Sequence, residues 1–189
     1  MQKGLTLIEM MIGLSILAIL GLLALPSYRT WIQSTQIRTA AESIQNGLQL
    51  ARAEAVRRNA NVQLLLTDTD PVVANVSSAV PSVNGRNWMV RVHQPSGNYT
   101  AADFIQGRAR SEGSRNATTS ASQSSIVFLP LGRVSPGVDS AATVANPAGG
   151  TCVAAGGEMR CLQVRVSAGG RVRMCDPALS LAINPQGCA

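Results

Sequence analysis

Hydrophobic and polar positions divide the chain into three regimes. The first is an unbroken apolar run. From Met10 to Leu25 no charged residue occurs, and Ser15 is the one polar side chain. Counted from Leu5, a helix rising about 1.5 Å per residue would cover roughly 30 Å, the thickness of a bilayer's hydrocarbon layer. In the second regime the apolar positions become periodic, at Ile37, Ala41, Ile44, Leu48, Ala51 and Ala55. Steps of four and three make a helical stripe. One helix is therefore predicted from about Thr6 to about Arg58, bent but not stopped at Pro26. Its first half is long and apolar enough to lie in a membrane, and its second half packs on a domain.

The third regime alternates with period two and is broken by turn residues. Strands are predicted over 61–66, 88–92, 103–106 and 125–129, with a short one near Val134. Residues 94–125 are polar and read as a surface excursion, and 135–150 as a linker within the domain. The last apolar segments, Leu162–Val166 and Arg171–Met174, flank Ser167-Ala168-Gly169-Gly170 and form a hairpin. On it Leu162, Val164, Val166, Val172 and Met174 share the core side, and Arg165, Arg171 and Arg173 the other. Gly169 and Gly170 would leave open backbone beside Arg171 for a phosphate.

Charge sharpens this picture. The net charge is +6. Arginine carries it, because Lys3 is the one lysine. A guanidinium fork suits phosphate and carboxylate, so the basic surface favours anion recognition, although a coding bias toward arginine would give the same composition. Lys3 ahead of the apolar run keeps Met1–Lys3 cytoplasmic. Glu9 sits inside that run. A buried acid there is costly and marks a specific partner, and it argues against a cleavable secretory signal.

The four cysteines, Cys152, Cys161, Cys175 and Cys188, have no C-x-x-C spacing, and His93 is the one histidine. A zinc site is not expected. A translocated domain meets oxidising conditions, so two disulfides are expected. Three pairings are possible. Cys152–Cys161 with Cys175–Cys188 is preferred, because each then closes a short loop containing glycine or proline. No nucleophile–base pattern, Walker motif or dinucleotide glycine motif is present, so no catalytic residue, cofactor or metal is expected.

Gly4-Leu5-Thr6-Leu7-Ile8-Glu9 resembles the leader junction of type IV prepilins and type II secretion pseudopilins. The resemblance implies cleavage by a prepilin peptidase between Gly4 and Leu5, and methylation of the Leu5 amine. The family usually has phenylalanine where this chain has Leu5. It also implies that Glu9 pairs with the amine of a neighbouring subunit. A buried acid needs such a cation. Leu48-Gln49-Leu50-Ala51-Arg52-Ala53-Glu54-Ala55-Val56-Arg57-Arg58-Asn59 resembles the helix end of the GspH/FimT family of minor pilins and pseudopilins. Phe128, Pro130, Gly132 and Arg133 resemble a second segment of that family. Arg57 and Arg58 suit the negative end of the helix dipole and Asn59 a left-handed stop, so Arg52, Glu54, Arg57 and Arg58 are read as structural.

The resemblance implies an α+β, pilin-like fold, with a long N-terminal helix on an antiparallel β-sheet domain stapled by disulfides near its end. The expected division is a leader over 1–4, a transmembrane or fibre-core helix over 5–29, and a periplasmic or extracellular domain over 30–189. Expected partners are other pilin subunits, the prepilin peptidase and, before assembly, the inner membrane. Gly170-Arg171-Val172-Arg173 matches a G-R-x-R motif that FimT-type minor pilins use for DNA capture in natural transformation. It implies a double-stranded DNA site at Gly170, Arg171, Arg173 and Arg165. A structural minor pilin and a type II secretion pseudopilin are the alternatives.

Overall fold

The computed structural model describes residues 6–188, with residues 22–27 and 29 described in backbone alone. Helix α1 spans Leu7–Arg58, 52 residues. Thr6 caps it by accepting the Glu9 N–H at 3.3 Å. Asn59 ends it in the left-handed conformation, its N–H returning to the carbonyls of Ala55 and Val56. The helix passes through Pro26 without ending.

Leu7, Ile8, Met10, Met11, Ile12, Leu14, Ile16, Leu17, Ile19 and Leu20 are all exposed. Among the described residues no helix is long and apolar enough to cross a membrane. The expected span over 5–29 takes in residue 5 and the side chains of 22–27 and 29, which lie outside what is described. The run described with its side chains, 7–21, covers only about 22 Å at the helical rise.

The predicted stripe is the core side of α1. Ile37, Ala41, Leu48, Ala51 and Ala55 are buried, as is Ile44. They meet two antiparallel sheets. The first has the order β3-β2-β1-β5-β6, built from β1 (Val62–Thr67), β2 (Asn87–Val92), β3 (Phe104–Arg108), β5 (Ser125–Phe128) and β6 (Val134–Ser135). The second has the order β4-β7-β8-β9, built from β4 (Thr118–Ala121), β7 (Ser140–Ala145), β8 (Leu162–Val166) and β9 (Val172–Cys175). Val62, Leu64, Leu66, Trp88, Val90 and Phe128 from the first sheet join Val144, Val164 and Val166 from the second against the helix. Gly47 lets Trp88 in close: a β-carbon there would stand 3.1 Å from the indole. The indole N–H then donates to Ser43 Oγ at 2.8 Å.

Two segments differ from the sequence expectation. The linker over 135–150 contains β7, an inner strand of the second sheet. Its face alternates, with Ser140, Ala142 and Val144 buried, but its side chains are too small to give a strong apolar signal. The excursion over 94–125 contains β4 as well as β3, for the same reason: Thr118-Thr119-Ser120-Ala121 reads as polar.

The first sheet is also covered on its outer face. Leu65, Val76, Ala79 and Met89 form a small second core there. Arg91 lies within it, 3% exposed. Its guanidinium donates to the Val76 carbonyl at 2.6 Å and to Gln63 at 3.3 Å, and stacks 3.4 Å above the Tyr99 ring. Burial pulls its pKa below the ordinary arginine value, and Tyr99 acts in the opposite sense.

Candidate nucleic-acid interface

The hairpin of β8 and β9 carries the predicted site. Arg165 and Arg173 are directly opposite each other in the ladder, on one face. Two like charges so placed repel unless something draws them apart or accepts hydrogen bonds from them. The last segment of the chain supplies acceptors. Arg173 donates to the carbonyls of Cys188 at 2.9 Å and Gly187 at 3.4 Å, and Arg165 also donates to the Cys188 carbonyl. That segment is held down by a disulfide from Cys175, the last residue of β9, to Cys188. The second disulfide joins Cys152 and Cys161 just before β8.

Arg165 and Arg173 are thus half-buried tethers of the C-terminal segment, not freely projecting side chains. Arg171 is exposed, and its hydrogen bonds among the described residues are made by its backbone alone, the N–H donating to Ser167 Oγ at 3.2 Å and the carbonyl accepting from the Ser167 N–H at 3.0 Å. The three arginines line one open cleft of about 250 Å³ with Asp139, Ser167 and Leu181. Asp139 is engaged by the Ala168 N–H at 2.8 Å.

The glycines divide. Gly169 is exposed, with only Ser167 Oγ near its missing side chain. Gly170 is buried, and a β-carbon on it would overlap the carbonyl oxygen of Gly132. The open phosphate approach expected at Gly170 is therefore closed by the neighbouring hairpin. Its φ of +82° and its fit against Gly132 make it a packing residue.

At the helix end, Glu54 receives Arg57 at 2.7 Å and Arg58 at 2.6 Å. The hydrogen bond from Arg57, then that from Arg58, holds the Glu54 carboxyl well below the usual range, at about 2. This is the structural role expected for those three. Arg52, grouped with them on sequence, makes no ion pair among the described residues. Its Nε would be 3.1 Å from a β-carbon on Gly132 and 3.4 Å from one on Gly170. The sequence signal that could have set Arg52 apart is its spacing: it precedes Glu54 by two residues, a separation at which helix side chains do not face each other.

Gly4 and Leu5 lie outside the described residues. Glu9 is in the first helical turn, where the helix dipole favours an acid. Among the described residues no cluster of His, Cys, Asp and Glu could hold a metal ion.

The chain matches the family model for the type II transport protein GspH over residues 40–170. Residues 1–25 match the prokaryotic N-terminal methylation motif. This chain belongs to the GspH family of minor pilins and pseudopilins, fibre subunits that are anchored in a membrane before assembly. No curated protein matches it by sequence. Its fold is similar to that of the type IV minor pilin FimU of Pseudomonas aeruginosa, with a TM-score of 0.53, 17% identity, and coverage of 73% of this chain and 87% of that one. It is also similar to the minor pseudopilin EpsH of the type 2 secretion system of Vibrio cholerae, with a TM-score of 0.50, 10% identity, and coverage of 76% and 99%. The pilin-like α+β fold expected from the sequence is the fold observed.

Proposed function

We propose that this protein is a minor pilin of a type IV pilus that holds extracellular double-stranded DNA for natural transformation. The observation that supports this reading most is Arg171. It is exposed, has no acidic partner among the described residues, and shares an open cleft with Arg165 and Arg173. Phosphate oxygens are the ligand that such a cluster meets best. No aromatic side chain lines the cleft, so bases have nothing to stack on, and binding would be independent of sequence. A small patch of this kind gives micromolar-range affinity at moderate salt. Retention under load then comes from several contacts or several subunits acting together.

On this reading prepilin peptidase cuts between Gly4 and Leu5, the Leu5 amine is methylated, and Glu9 pairs with that amine on a neighbouring subunit. The domain faces the periplasm while the helix is anchored in the inner membrane. It reaches the cell surface in the fibre.

A second reading has a specific observation behind it. Arg165 and Arg173 already donate to backbone carbonyls of the C-terminal segment, as structural tethers would. A minor pilin that only primes assembly, or a secretion pseudopilin, would need no more from them.

The full chain in detergent, titrated with a labelled duplex, separates these readings. Arg171→Gln should weaken binding about equally for unrelated sequences and move thermal stability little, and adding Arg173→Gln should weaken binding further while lowering stability, because Arg173 holds the Cys188 and Gly187 carbonyls. A double variant that binds as well as the wild type would leave the structural reading in place.

A further inference from the structure

Two Gly-Arg pairs meet back to back in this fold. Gly132-Arg133 lies in the turn between β5 and β6, and Gly170-Arg171 in the turn between β8 and β9. The Val134 N–H donates to the Ala168 carbonyl at 3.1 Å and ties the turns together. Both glycines have positive φ, +74° and +82°, and both are buried. Only glycine allows this approach, because a β-carbon on Gly170 would overlap Gly132. The approach sets Arg133 and Arg171, both exposed, on neighbouring turns. Arg52 reaches over the same junction from α1, its Nε near both glycines.

Among the described residues none of these three arginines makes an ion pair or a side-chain hydrogen bond. Their neighbours on the helix differ. Arg57 and Arg58 share the carboxylate of Glu54, and Arg38 pairs with Glu42. Asp139 also lines the Arg171 cleft, but its carboxylate accepts from the Ala168 N–H and pairs with none of the three arginines, so their like charges raise the local potential and draw an anion.

We propose that Arg52, Arg133 and Arg171 form a second phosphate-binding surface at this junction, continuous with the hairpin cleft through Arg171. DNA would then wrap the tip of the hairpin from its outer face to the helix. This inference rests on the DNA-binding reading above. It assigns a binding role to Arg52 and Arg133, which belong to neither the G-R-x-R motif nor its hairpin.

The test uses the full chain in detergent and a labelled 30-base-pair duplex across a salt series. Each phosphate contact contributes a log–log slope of about −0.9, which at 0.1 M salt corresponds to roughly eightfold in affinity. Arg52→Gln and Arg133→Gln should each flatten the slope by about 0.9 and weaken binding roughly eightfold at that salt, without lowering the melting temperature. Arg52→Lys should restore most of both, since it restores the charge. Arg38→Gln removes the same net charge away from the junction and should leave the slope unchanged. If the wild type binds and Arg171→Gln weakens it, but Arg52→Gln and Arg133→Gln behave as wild type, this inference fails and the hairpin site stands. If the wild type does not bind duplex with a salt-dependent affinity, the DNA reading itself fails. Loss of fibre incorporation with unchanged DNA affinity would assign the cluster to a neighbouring subunit's acids and overturn the proposal.

Discussion

A methyl group on Gly170 would have to fit where the Gly132 carbonyl oxygen already is. It would also hold a non-glycine residue at φ +82°. The left-handed conformation alone costs about 1–3 kcal/mol, and the overlap adds to it. Gly170→Ala should therefore destabilise the domain by roughly 2–4 kcal/mol in denaturant unfolding, whereas Gly169→Ala, with open space beside it, should cost less than about 1 kcal/mol. Equal effects at the two positions would contradict the junction. His93 sets a different kind of limit. Its Nδ1 is buried and, among the described residues, has no hydrogen-bond partner. Burial first, then the nearby Arg91 charge, holds its pKa below the ordinary 6.5. The unfolded chain thus takes up this proton at a higher pH than the folded one. The stability this neutral histidine carries is complete above about pH 6.5 and declines as pH falls below it. Glu54, with its folded pKa at about 2, adds a second loss between its ordinary 4.5 and that value. Thermal melts from pH 8 to 3 should show both stages, and His93→Gln should remove the first alone.

At the scale of elements, the C-terminal disulfide and the hairpin are one device. Cys175–Cys188 closes a loop of sequence separation 13, and Cys152–Cys161 one of separation 9. By loop-closure entropy each stabilises the fold by roughly 3 kcal/mol. Cys175→Ser with Cys188→Ser should lower the denaturation midpoint accordingly. It should also free the carbonyls of Gly187 and Cys188 that hold Arg165 and Arg173, and so change DNA affinity. The partner pair, Cys152→Ser with Cys161→Ser, should lower stability without that change. Much of this arrangement was legible in the sequence. The helical stripe from Ile37 to Ala55, the β8–β9 hairpin and the shared face of Arg165 and Arg173 all follow from side-chain period. What period could not show is what lands on that face. The carbonyls that hold Arg165 and Arg173 come from residues 187 and 188, brought back by a covalent link. Likewise Gly170 looked like open backbone, because its obstruction, Gly132, lies 38 residues away. β7 was hidden for a local reason: alanine, serine and threonine alternate without apolar contrast.

The whole molecule joins an exposed apolar half-helix to a domain whose arginines have few acidic partners. The first half of α1 leaves Leu7 through Leu20 uncovered, a surface that only membrane or other subunits would cover. Intact-mass analysis should find a mature protein that starts at methylated Leu5. Retention of Met1–Gly4 in piliated cells would contradict the processing account. Glu9→Ala should leave cleavage intact and reduce abundance in sheared fibres, since the acid's proposed partner is another subunit's amine. The most direct test of the central claim asks where DNA touches this molecule. The full chain in detergent is labelled with an arginine-specific dicarbonyl, with and without excess duplex, and modification is read by peptide mass mapping. Arg171 and Arg173 should be protected by duplex, while Arg38 and Arg108, paired with acids away from the hairpin, should label equally in both samples. Equal labelling of Arg171 and Arg173 with and without DNA would contradict the claim that this hairpin holds it.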